Sequence, residues 1–462
     1  MAKSTLSKKA LIAVAAPVFI GGILTLSSHP ATAQGPGPGN PLVPQLGKAL
    51  FFERDLSTPG GQACASCHSP VAGFSSPDST QNVATGIMEG AQAGRYGNRK
   101  PPTVSYASFI PVGKPTFDPR NGTYVGGLFF DGRAPDLPTQ AQAPFQNPNE
   151  MNNLVHNIGN PALIVAEVEK GPNAALFERT YGLNVFSQPT AQVFQLIVQS
   201  IAAWEHSPEV SPFSSKYDAY LQHRATFTAQ ELTGLQIFTG TLNGRQGGPP
   251  SPINAQCSSC HVLSPQAGAG PDLFTDSHYR NVGTPKNPHN PYYTNTNEAT
   301  NPVGYNPLGE NYVDLGLADF LYADEGNVAT DPLHIKGVFK TPTLRNVDTR
   351  PTPAFVKDYG HNGYFKSLAQ VVHFYNTRNL TTVTGEVIDF TKASPYLGLK
   401  GKPLWPAPEY IGNMQNPTGS GKGPGSHIGN LGLTPAQEAD LVAFLQTLSD
   451  GFFNPQGPPP GP

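Results

Sequence analysis

The chain of 462 residues contains only four cysteines, four methionines and two tryptophans. Charged residues make up 13% of the sequence, and the formal net charge is −3. No block of basic residues indicates binding to nucleic acid or to an anionic membrane. Beyond residue 26, no apolar run is long enough to cross a membrane. Sustained alternation of apolar and polar residues is also missing, which argues against a large β-sheet.

Glycine and proline are abundant, with 49 of each in the chain. They are concentrated at residues 35–44, 247–252, 265–307, 417–425 and 455–462. Segments of this composition predict loops and tails. The segment 265–307 is also rich in asparagine and tyrosine; we expect a solvated insertion, with a cover over a substrate entrance as the alternative. The ordered core is therefore expected to be modest for this length.

All four cysteines fall in two copies of one motif, at residues 64–68 and 257–261. The pattern C-x-x-C-H attaches c-type haem through two thioethers, and its histidine becomes the proximal iron ligand. A zinc site needs four ligands, whereas each copy supplies three. A disulfide across so short a span would be strained. The sequence therefore predicts two covalent haems, attached through Cys64, Cys67, Cys257 and Cys260, with His68 and His261 as iron ligands.

The amino terminus has the pattern of a secretory signal peptide. Three lysines precede an apolar run of 17 residues, Ala10–Leu26, and a small-residue cleavage site follows at residues 31–33. An uncleaved membrane anchor is the alternative, but the run is short for a membrane span. Because haem is attached to this motif outside the cytoplasmic membrane, we expect a signal peptide at 1–33 and a periplasmic protein without stable membrane insertion.

A repeated segment precedes each haem motif. Leu46–Phe51 and Leu232–Phe238 both contain a glycine followed four residues later by phenylalanine. Such repetition predicts two structural units of one type. We expect an N-terminal haem domain at 34–210, a C-terminal haem domain at 211–455 with the boundary near 207–225, and a Pro/Gly tail at 456–462. The predicted fold is mainly α, with two cytochrome c-like haem domains and long Gly/Pro-rich loops.

Local patterns also mark individual helices. The segment Thr226–Glu231 has the threonine and glutamate spacing of a capping box, and Thr434–Gln437 places threonine before proline at the first helical position. Apolar residues at helical spacing predict two further buried stripes. The stripes are Val193, Ile197, Ile201 and Trp204, and Leu441, Phe444, Leu445 and Leu448. We expect the second stripe to pack against haem.

These motifs resemble those of the bacterial di-haem cytochrome c peroxidases and their relatives, the MauG-type di-haem enzymes. The matching segments, beside the two haem motifs, are Leu46–Phe52, Asp55–Ser57, Phe130–Arg133, Gln140, Asn147–Met151, Phe274–Asp276, Phe339–Asn346, His361–Gly363 and Ser367–Tyr375. Each segment alone would be a weak signal, whereas the combination is specific. The resemblance implies a peroxide-reacting haem in the N-terminal domain and an electron-transfer haem in the C-terminal domain.

The resemblance further implies that Gln140 and Glu150 lie on the peroxide side of the first haem. Glu150 would be the acid–base group, and Gln140 would orient the bound oxygen. A glutamate in a loop rich in proline and asparagine is otherwise most often a surface residue. Many relatives place a sixth-ligand histidine soon after the first motif, but none lies between His68 and His156. We expect an open iron at His68, with a remote histidine or Met88 as the alternative ligand.

The resemblance implies that His261 and Tyr375 hold the second iron. Peroxidase relatives carry an axial methionine at the position of Tyr375, whereas the MauG-type enzymes carry tyrosine there. Methionine raises the potential of a haem, and an anionic oxygen ligand should lower it. Met414 and His373 are the alternative ligands, and Tyr375 would otherwise be an ordinary helix residue below the haem.

Two departures from the family pattern bear on mechanism. Relatives carry a tryptophan between the haems where this chain has Phe130, which is harder to oxidise. This substitution argues against a state shared between the haems. The family often holds a calcium ion between its domains, but the loop Val347–Gly360 departs from the pattern that would supply ligands.

The sequence is therefore compatible with three functions. The first is a periplasmic di-haem peroxidase that reduces hydrogen peroxide with electrons from a small cytochrome c or cupredoxin. The second is a MauG-like oxidase that uses peroxide to modify a protein or an organic substrate. The third is an electron carrier without catalysis. The resemblance also implies a possible homodimer, and no nucleic-acid partner is expected.

Overall fold

The computed structural model describes residues 39–242, 255–263, 271–323, 331–382, 385–415 and 428–454. The predicted signal peptide at 1–33 and the tail at 456–462 lie outside these residues. Within them, helices dominate, and the paired strands form three small antiparallel sheets of two strands each. The prediction of a mainly α fold is confirmed. None of the helices in these ranges is both long and apolar enough for a membrane span.

The helices and strands are connected by long loops. The helices are α1 Leu42–Phe51, α2 Cys64–Cys67, α3 Ser79–Ala84, α4 Leu137–Gln146, α5 Pro161–Lys170, α6 Ala174–Tyr181, α7 Thr190–Glu205, α8 Lys216–Leu221, α9 Ala229–Thr239, α10 Leu317–Leu321, α11 Leu368–Thr377 and α12 Pro435–Gln446. The paired strands are β1 Thr116–Asp118 with β2 Thr123–Val125, β3 Leu154–Val155 with β4 Ile158–Gly159, and β5 Tyr279–Arg280 with β6 Phe339–Lys340.

The predicted helix starts are present. The Thr228 side chain accepts a hydrogen bond from the backbone N–H of Glu231 at the start of α9, and the Glu231 side chain completes the capping box. Thr434 and Gln437 form the same box at the start of α12, where Pro435 occupies the first helical position. Both helices therefore begin where short-range side-chain hydrogen bonds predict.

Two large apolar clusters form the core. The first draws on α1, α4, α5, α6 and α7 and extends from Leu46 to Val210. The second draws on α8, α9, α11 and α12 and extends from Tyr217 to Leu448. Both predicted apolar stripes are buried in these clusters. Cys64 packs against the first cluster and Cys257 against the second, so each haem motif lies beside its own apolar core.

The two repeated glycines lie where helices cross at close range. A Cβ atom on Gly47 of α1 would lie 1.8 Å from the carbonyl oxygen of Ser200 in α7. A Cβ atom on Gly234 of α9 would lie 2.0 Å from the carbonyl oxygen of Asp440 in α12. Real Cβ atoms do not approach backbone oxygens this closely. The repeated glycine therefore corresponds to the same kind of close helix crossing in both halves of the chain.

Gly47→Ala is expected to lower the free energy of unfolding by about 1–3 kcal/mol, because the added methyl group overpacks the crossing of α1 and α7. Urea unfolding of the holoprotein, followed by far-UV circular dichroism, measures this change. Gly97→Ala is the control, since a Cβ atom there would meet nothing within 4 Å. Equal unfolding midpoints for the two variants would contradict the proposed contact.

The prediction of a solvated insertion is wrong for residues 272–287, all of which are buried or partly buried, whereas most of residues 294–300 are exposed. Asn287, Asn290 and Asn301 are at most 3% exposed, and the side-chain amide of Asn287 donates to backbone carbonyls at residues 85 and 362. Asparagine carries both donors and acceptors, so it can satisfy the backbone groups of irregular chain that is buried. The segment is thus packed against the rest of the molecule through asparagine side chains.

Candidate active site

Residues of both haem motifs border a single cavity. His68 of the first motif and His261 of the second line it, and its volume is about 380 Å³. Gln140, Phe130 and Tyr375 also contribute to the wall. A largely apolar cavity with a few polar groups is the usual form of a cofactor site. The predicted ligands and the predicted inter-haem residue therefore meet around one space.

Each motif histidine is oriented by a backbone carbonyl. The Nδ1 atom of His68 lies 3.4 Å from the carbonyl oxygen of Phe74, and that of His261 lies 3.0 Å from the carbonyl oxygen of Phe274. Both phenylalanines adopt positive φ angles, 57° and 54°, which are uncommon outside glycine. A hydrogen bond at Nδ1 leaves Nε2 to bind a metal, as is usual for histidine ligands.

The protonation states of the motif histidines suit iron binding. Burial lowers the pKa of His68 to about 4 and also lowers that of His261, so both rings are neutral at pH 7. Burial raises the pKa of Cys64, Cys67 and Cys257 to about 12. Two partly buried cysteines beside a neutral imidazole in each motif fit the two thioethers and one iron ligand that each c-type haem requires.

The motifs are not arranged as a zinc site. No group of three or more histidine, cysteine, aspartate or glutamate side chains converges anywhere in the described ranges. Zinc would require four such ligands from one place.

Buried cations contribute to the cavity wall. They are Lys100, Arg280, Lys340, Arg345 and Lys357. The Lys340 ammonium donates to the carbonyl oxygen of Gly127 at 2.7 Å. Burial lowers its pKa to about 7, although Asp131 counteracts this effect. An anion beside Lys340 would stabilise its charged form, so this wall fits the propionate groups of haem.

Gln140 lies near the start of α4, and Glu150 lies in the loop that follows this helix. The Asp136 side chain accepts a hydrogen bond from the Thr139 N–H and so fixes the start of α4, and Gln140 lies one turn later on the cavity wall. The side-chain amide of Asn147 donates to Glu150 Oε1 at 3.0 Å. Of the two predicted residues, Gln140 lines the cavity and Glu150 does not.

The electrostatic environment of Glu150 places it close to the first haem motif. Burial raises the pKa of its carboxyl, while Arg133 and the hydrogen bond from Asn147 act in the opposite direction. The Glu150 charge in turn raises the pKa of Cys67 and Cys64. A carboxyl of raised pKa beside the first motif has the character of a proton donor and acceptor.

A second buried carboxyl near the first motif was not predicted. Glu205 ends α7, is 2% exposed and lines the cavity. Its Oε2 atom has no hydrogen-bond partner. Burial raises its pKa to about 8, and its charge raises the pKa of Cys64. The sequence offers no sign of this, because an isolated glutamate at a helix end is usually exposed.

Of the alternative ligands of the first iron, Met88 and His156 do not line the cavity. Met88 accepts a hydrogen bond from the Ser76 hydroxyl at 2.9 Å and does not line the cavity. His156 is exposed. His361 does line the cavity, but its ring stacks on Phe339 with centroids 3.7 Å apart, and its Nε2 atom lies 3.2 Å from Glu409.

At the second motif, the three candidate ligands occupy different environments. Tyr375 of α11 is on the cavity wall with His261. His373 is separated from it by roughly 200° around the helix, is half exposed, and places Nδ1 3.0 Å from Glu438. Met414 packs in a separate apolar cluster with Ile388 and Phe390 and does not line the cavity.

The phenol of Tyr375 is held in its neutral form by its surroundings. Burial raises its pKa, and the nearby Cys260 and Cys257 add to this effect. Arg378 and Arg280 act in the opposite direction. A ferric ion beside the oxygen would add to the effect of these two arginines and favour the phenolate.

The aromatic residues differ in their access to the cavity. Phe130 lines it, and its carbonyl oxygen accepts a hydrogen bond from the backbone N–H of Lys340 at 3.0 Å. Trp204 packs among Phe51 and other aromatic rings of the first core, and Trp405 packs against Phe374. Neither tryptophan lines the cavity. Neither of them can therefore replace Phe130 as the predicted residue between the haems.

The loop 347–360 joins the two halves of the molecule through lysines. The Lys357 ammonium donates to the carbonyl oxygen of Ala72, close to the first haem motif, at 2.8 Å. Lys100 lies 3.6 Å from the buried carboxylate of Asp358. Calcium needs six to eight oxygen ligands. In the described ranges no three histidine, cysteine, aspartate or glutamate side chains converge, and a calcium ion held by this loop stays a prediction.

Comparison with known proteins gives consistent matches. A family model for di-haem cytochrome c peroxidase matches residues 43–226. The methylamine utilization protein MauG of Paracoccus denitrificans is 31% identical over 426 residues, which cover 92% of this chain and 92% of that protein. The cytochrome c551 peroxidase of Nitrosomonas europaea is 28% identical over 375 residues, with coverage of 80% and 84%.

A solved structure extends this similarity to the fold. The crystal structure of the diheme peroxidase BthA from Burkholderia thailandensis matches with a TM-score of 0.67 and 28% sequence identity. The match covers 91% of this chain and 89% of that chain. The similarity in sequence and the similarity in fold therefore both extend over about nine-tenths of the chain.

Proposed function

Because the chain belongs to the di-haem cytochrome c peroxidase family, which includes the MauG proteins, we propose that it reduces hydrogen peroxide to water with electrons from a small redox protein. Each turnover consumes one peroxide, two electrons and two protons and yields two waters. We propose a periplasmic location and a small cytochrome c or cupredoxin as the donor. The single observation that carries the proposal is the position of Glu150, a partly buried carboxyl of raised pKa, beside the first haem motif.

The proposed roles of the residues rest on the family membership and on their nearness to the first haem motif. When bound, the haem at His68 supplies an iron at which peroxide is held and reduced. The Glu150 carboxylate takes the proton from one peroxide oxygen and delivers it to the other. Its raised pKa suits both steps, since an efficient acid–base group titrates near the working pH. The Gln140 amide on the cavity wall orients the peroxide by hydrogen bonding.

His261 and Tyr375 would hold the iron of the second haem, which when bound would supply the entry point for electrons from the donor. The position of both side chains on one cavity wall supports this pairing. Cys64, Cys67, Cys257 and Cys260 would carry the thioethers. Phe130 lies on the same wall, and electrons would pass by it through direct tunnelling, since phenylalanine is hard to oxidise.

The alternative is a MauG-like oxidase that uses peroxide to modify a protein or an organic substrate. Tyr375 on the cavity wall favours it, as does the similarity to the MauG of Paracoccus denitrificans. Phe130, in place of a more easily oxidised residue, argues against it. An electron carrier without catalysis is disfavoured by the raised pKa of Glu150, which such a carrier does not need.

Mixing the holoprotein with hydrogen peroxide and a reduced small cytochrome c is expected to oxidise two donor molecules per peroxide consumed. The stoichiometry follows from the two electrons that reduction to water requires. Donor oxidation is followed by its absorbance, and peroxide by an electrode. A reduced cupredoxin is the second donor to be tested.

Other outcomes would select another function. Peroxide consumption with little donor oxidation, together with oxidation of an added protein or organic substrate, would favour the MauG-like oxidase. Fast electron exchange with the donor and no peroxide consumption would identify an electron carrier.

A further inference from the structure

The loop that carries Glu150 is in contact with a distant part of the chain. The side-chain amide of Asn301 donates to Asn149 Oδ1 at 2.7 Å, and the side-chain amide of Asn149 donates to the carbonyl oxygen of Gly304 at 2.9 Å. Asn301 is 1% exposed and Asn149 is 7% exposed. Two hydrogen bonds away from solvent thus join residues about 150 positions apart, directly beside Glu150.

A second connection lies at the edge of the same contact. The guanidinium group of Arg95 donates to Asn152 Oδ1 at 3.0 Å through one nitrogen and to the carbonyl oxygen of Thr300 at 2.7 Å through another. The backbone N–H of Ala91 donates to the carbonyl oxygen of Glu150 at 2.7 Å. The backbone of Glu150 is therefore held between residues 91–95 and the segment around Asn301.

The segment around Asn301 is itself rigidly organised. Asn306 donates through its side-chain amide to the carbonyl oxygens of Tyr292 and Gly309, at 3.1 and 3.0 Å. Its side-chain oxygen accepts a hydrogen bond from the N–H of Leu308. All these partners lie within the segment, whereas Asn301 reaches across to the Glu150 loop. The two asparagines are equally buried, at 1% exposure. The Asn306 side chain makes three hydrogen bonds inside the segment, whereas the Asn301 side-chain amide donates to Asn149 outside it.

We propose that Asn301 is a positioning residue, which holds Asn149 and thereby sets the place of the Glu150 carboxyl beside the first haem. The inference rests on the proposed role of Glu150 in peroxide reduction. Displacement of a reacting group by about 1 Å can cost 10²-fold in rate. A buried hydrogen-bonded contact of this kind restricts such displacement in a loop that would otherwise move.

Asn301→Leu tests the proposal, because leucine has nearly the same size and cannot donate to Asn149. We expect the rate constant for reaction with hydrogen peroxide, measured by stopped flow on the holoprotein, to fall by about 10-fold, within the range that misplacement produces. Asn306→Leu removes an equally buried amide from the same segment and is expected to leave this rate unchanged. Similar rates for the two variants would overturn the proposal.

Two further readouts separate positioning from general destabilisation. Without peroxide, the Ala91 amide should exchange with deuterium faster in Asn301→Leu than in Asn306→Leu, since its acceptor is the Glu150 carbonyl. With peroxide, the rise of the rate with pH should move to lower pH in Asn301→Leu, because a looser carboxyl is better solvated. Arg133, in the segment before α4, is the charged group that faces Glu150. Cys64 and Cys67 face it from the first motif but carry no charge as thioethers, so the electrostatic surroundings are the same in both variants.

Arg95→Met provides a second test if Asn301→Leu does not fold. It breaks the partly exposed connection to Asn152 and Thr300 and should lower the rate in the same direction. Glu150→Gln, measured in parallel, distinguishes a failure of the proposed role of Glu150 from a failure of the positioning role of Asn301. If Glu150→Gln does not slow the reaction, the proposed function of Glu150 fails. If Glu150→Gln slows it and neither Asn301→Leu nor Arg95→Met does, the positioning role alone fails.

Discussion

Glu150→Gln is expected to slow the reaction of the holoprotein with hydrogen peroxide by about 10² to 10⁴ fold, the usual contribution of a positioned acid–base group. Glutamine keeps the size of the side chain but cannot exchange a proton in this way. The Asn147 amide, which donates to Glu150 Oε1, still finds an acceptor in the glutamine carbonyl, so the loop should keep its shape. The second-order rate constant is measured by stopped-flow absorbance.

The pH dependence identifies the group that is responsible. Burial raises the pKa of Glu150, while Arg133 and Asn147 oppose the shift. The carboxylate must be unprotonated to accept a proton, so the rate in the wild-type protein should rise with pH through this raised pKa and then level off. The rise should disappear in Glu150→Gln. The spectra of both haems should stay unchanged, because Glu150 is not an expected iron ligand.

Two other glutamates complete the test of Glu150. Glu209 is half exposed and pairs with Lys48 at the surface, so Glu209→Gln is expected to react at the wild-type rate. Glu205 is the more serious rival, since it is buried, lines the cavity and has a pKa raised to about 8 by burial. A large loss of rate in Glu205→Gln, with none in Glu150→Gln, would transfer the acid–base role to Glu205.

Features that depend on neighbouring residues were predictable from the sequence. The starts of α9 and α12 follow from side chains three positions apart, and the haem attachment sites, which stay a prediction, rest on five consecutive residues. The repeated glycines were visible as a pattern, because the same helix crossing occurs twice. In each case the physical cause lies within one turn of helix or one repeated unit.

Features that depend on contacts between distant segments were not predictable. The carbonyl of Phe74 orients His68, but no side-chain pattern encodes which backbone carbonyl will face a ring nitrogen. The contact between Asn301 and Asn149 joins residues 152 positions apart. For such residues, composition indicated only a polar loop. The burial of these asparagines was not predictable, because a polar residue is normally expected at the surface. The asparagine side chain can nevertheless satisfy buried backbone groups.

Tyr375→Phe is expected to change the low-spin EPR signal of the second haem and to raise its midpoint potential by on the order of 0.1 V, a part of the ~0.8 V that axial ligands can span. The physical reason is the loss of an anionic oxygen from the ferric iron, which that oxygen stabilises. Low-temperature EPR of the diferric protein and a redox titration with mediators provide the two measurements. The wild-type protein should also show a high-spin signal from the open first iron, unaltered by the substitution.

The controls for Tyr375→Phe follow from the positions of the rival residues. His373 is half exposed and paired with Glu438, so His373→Ala should leave both EPR signals unchanged. Met414 lies in a separate apolar cluster, so Met414→Leu should do the same. Tyr359→Phe also removes a buried cavity-wall hydroxyl, one that lies 3.3 Å from Asp348, and it controls for the loss of a phenol as such. An EPR signal that responds to Met414→Leu and not to Tyr375→Phe would assign methionine as a ligand of the second iron. A haem with a methionine ligand has a higher potential, which would favour an ordinary peroxidase over the MauG-like alternative.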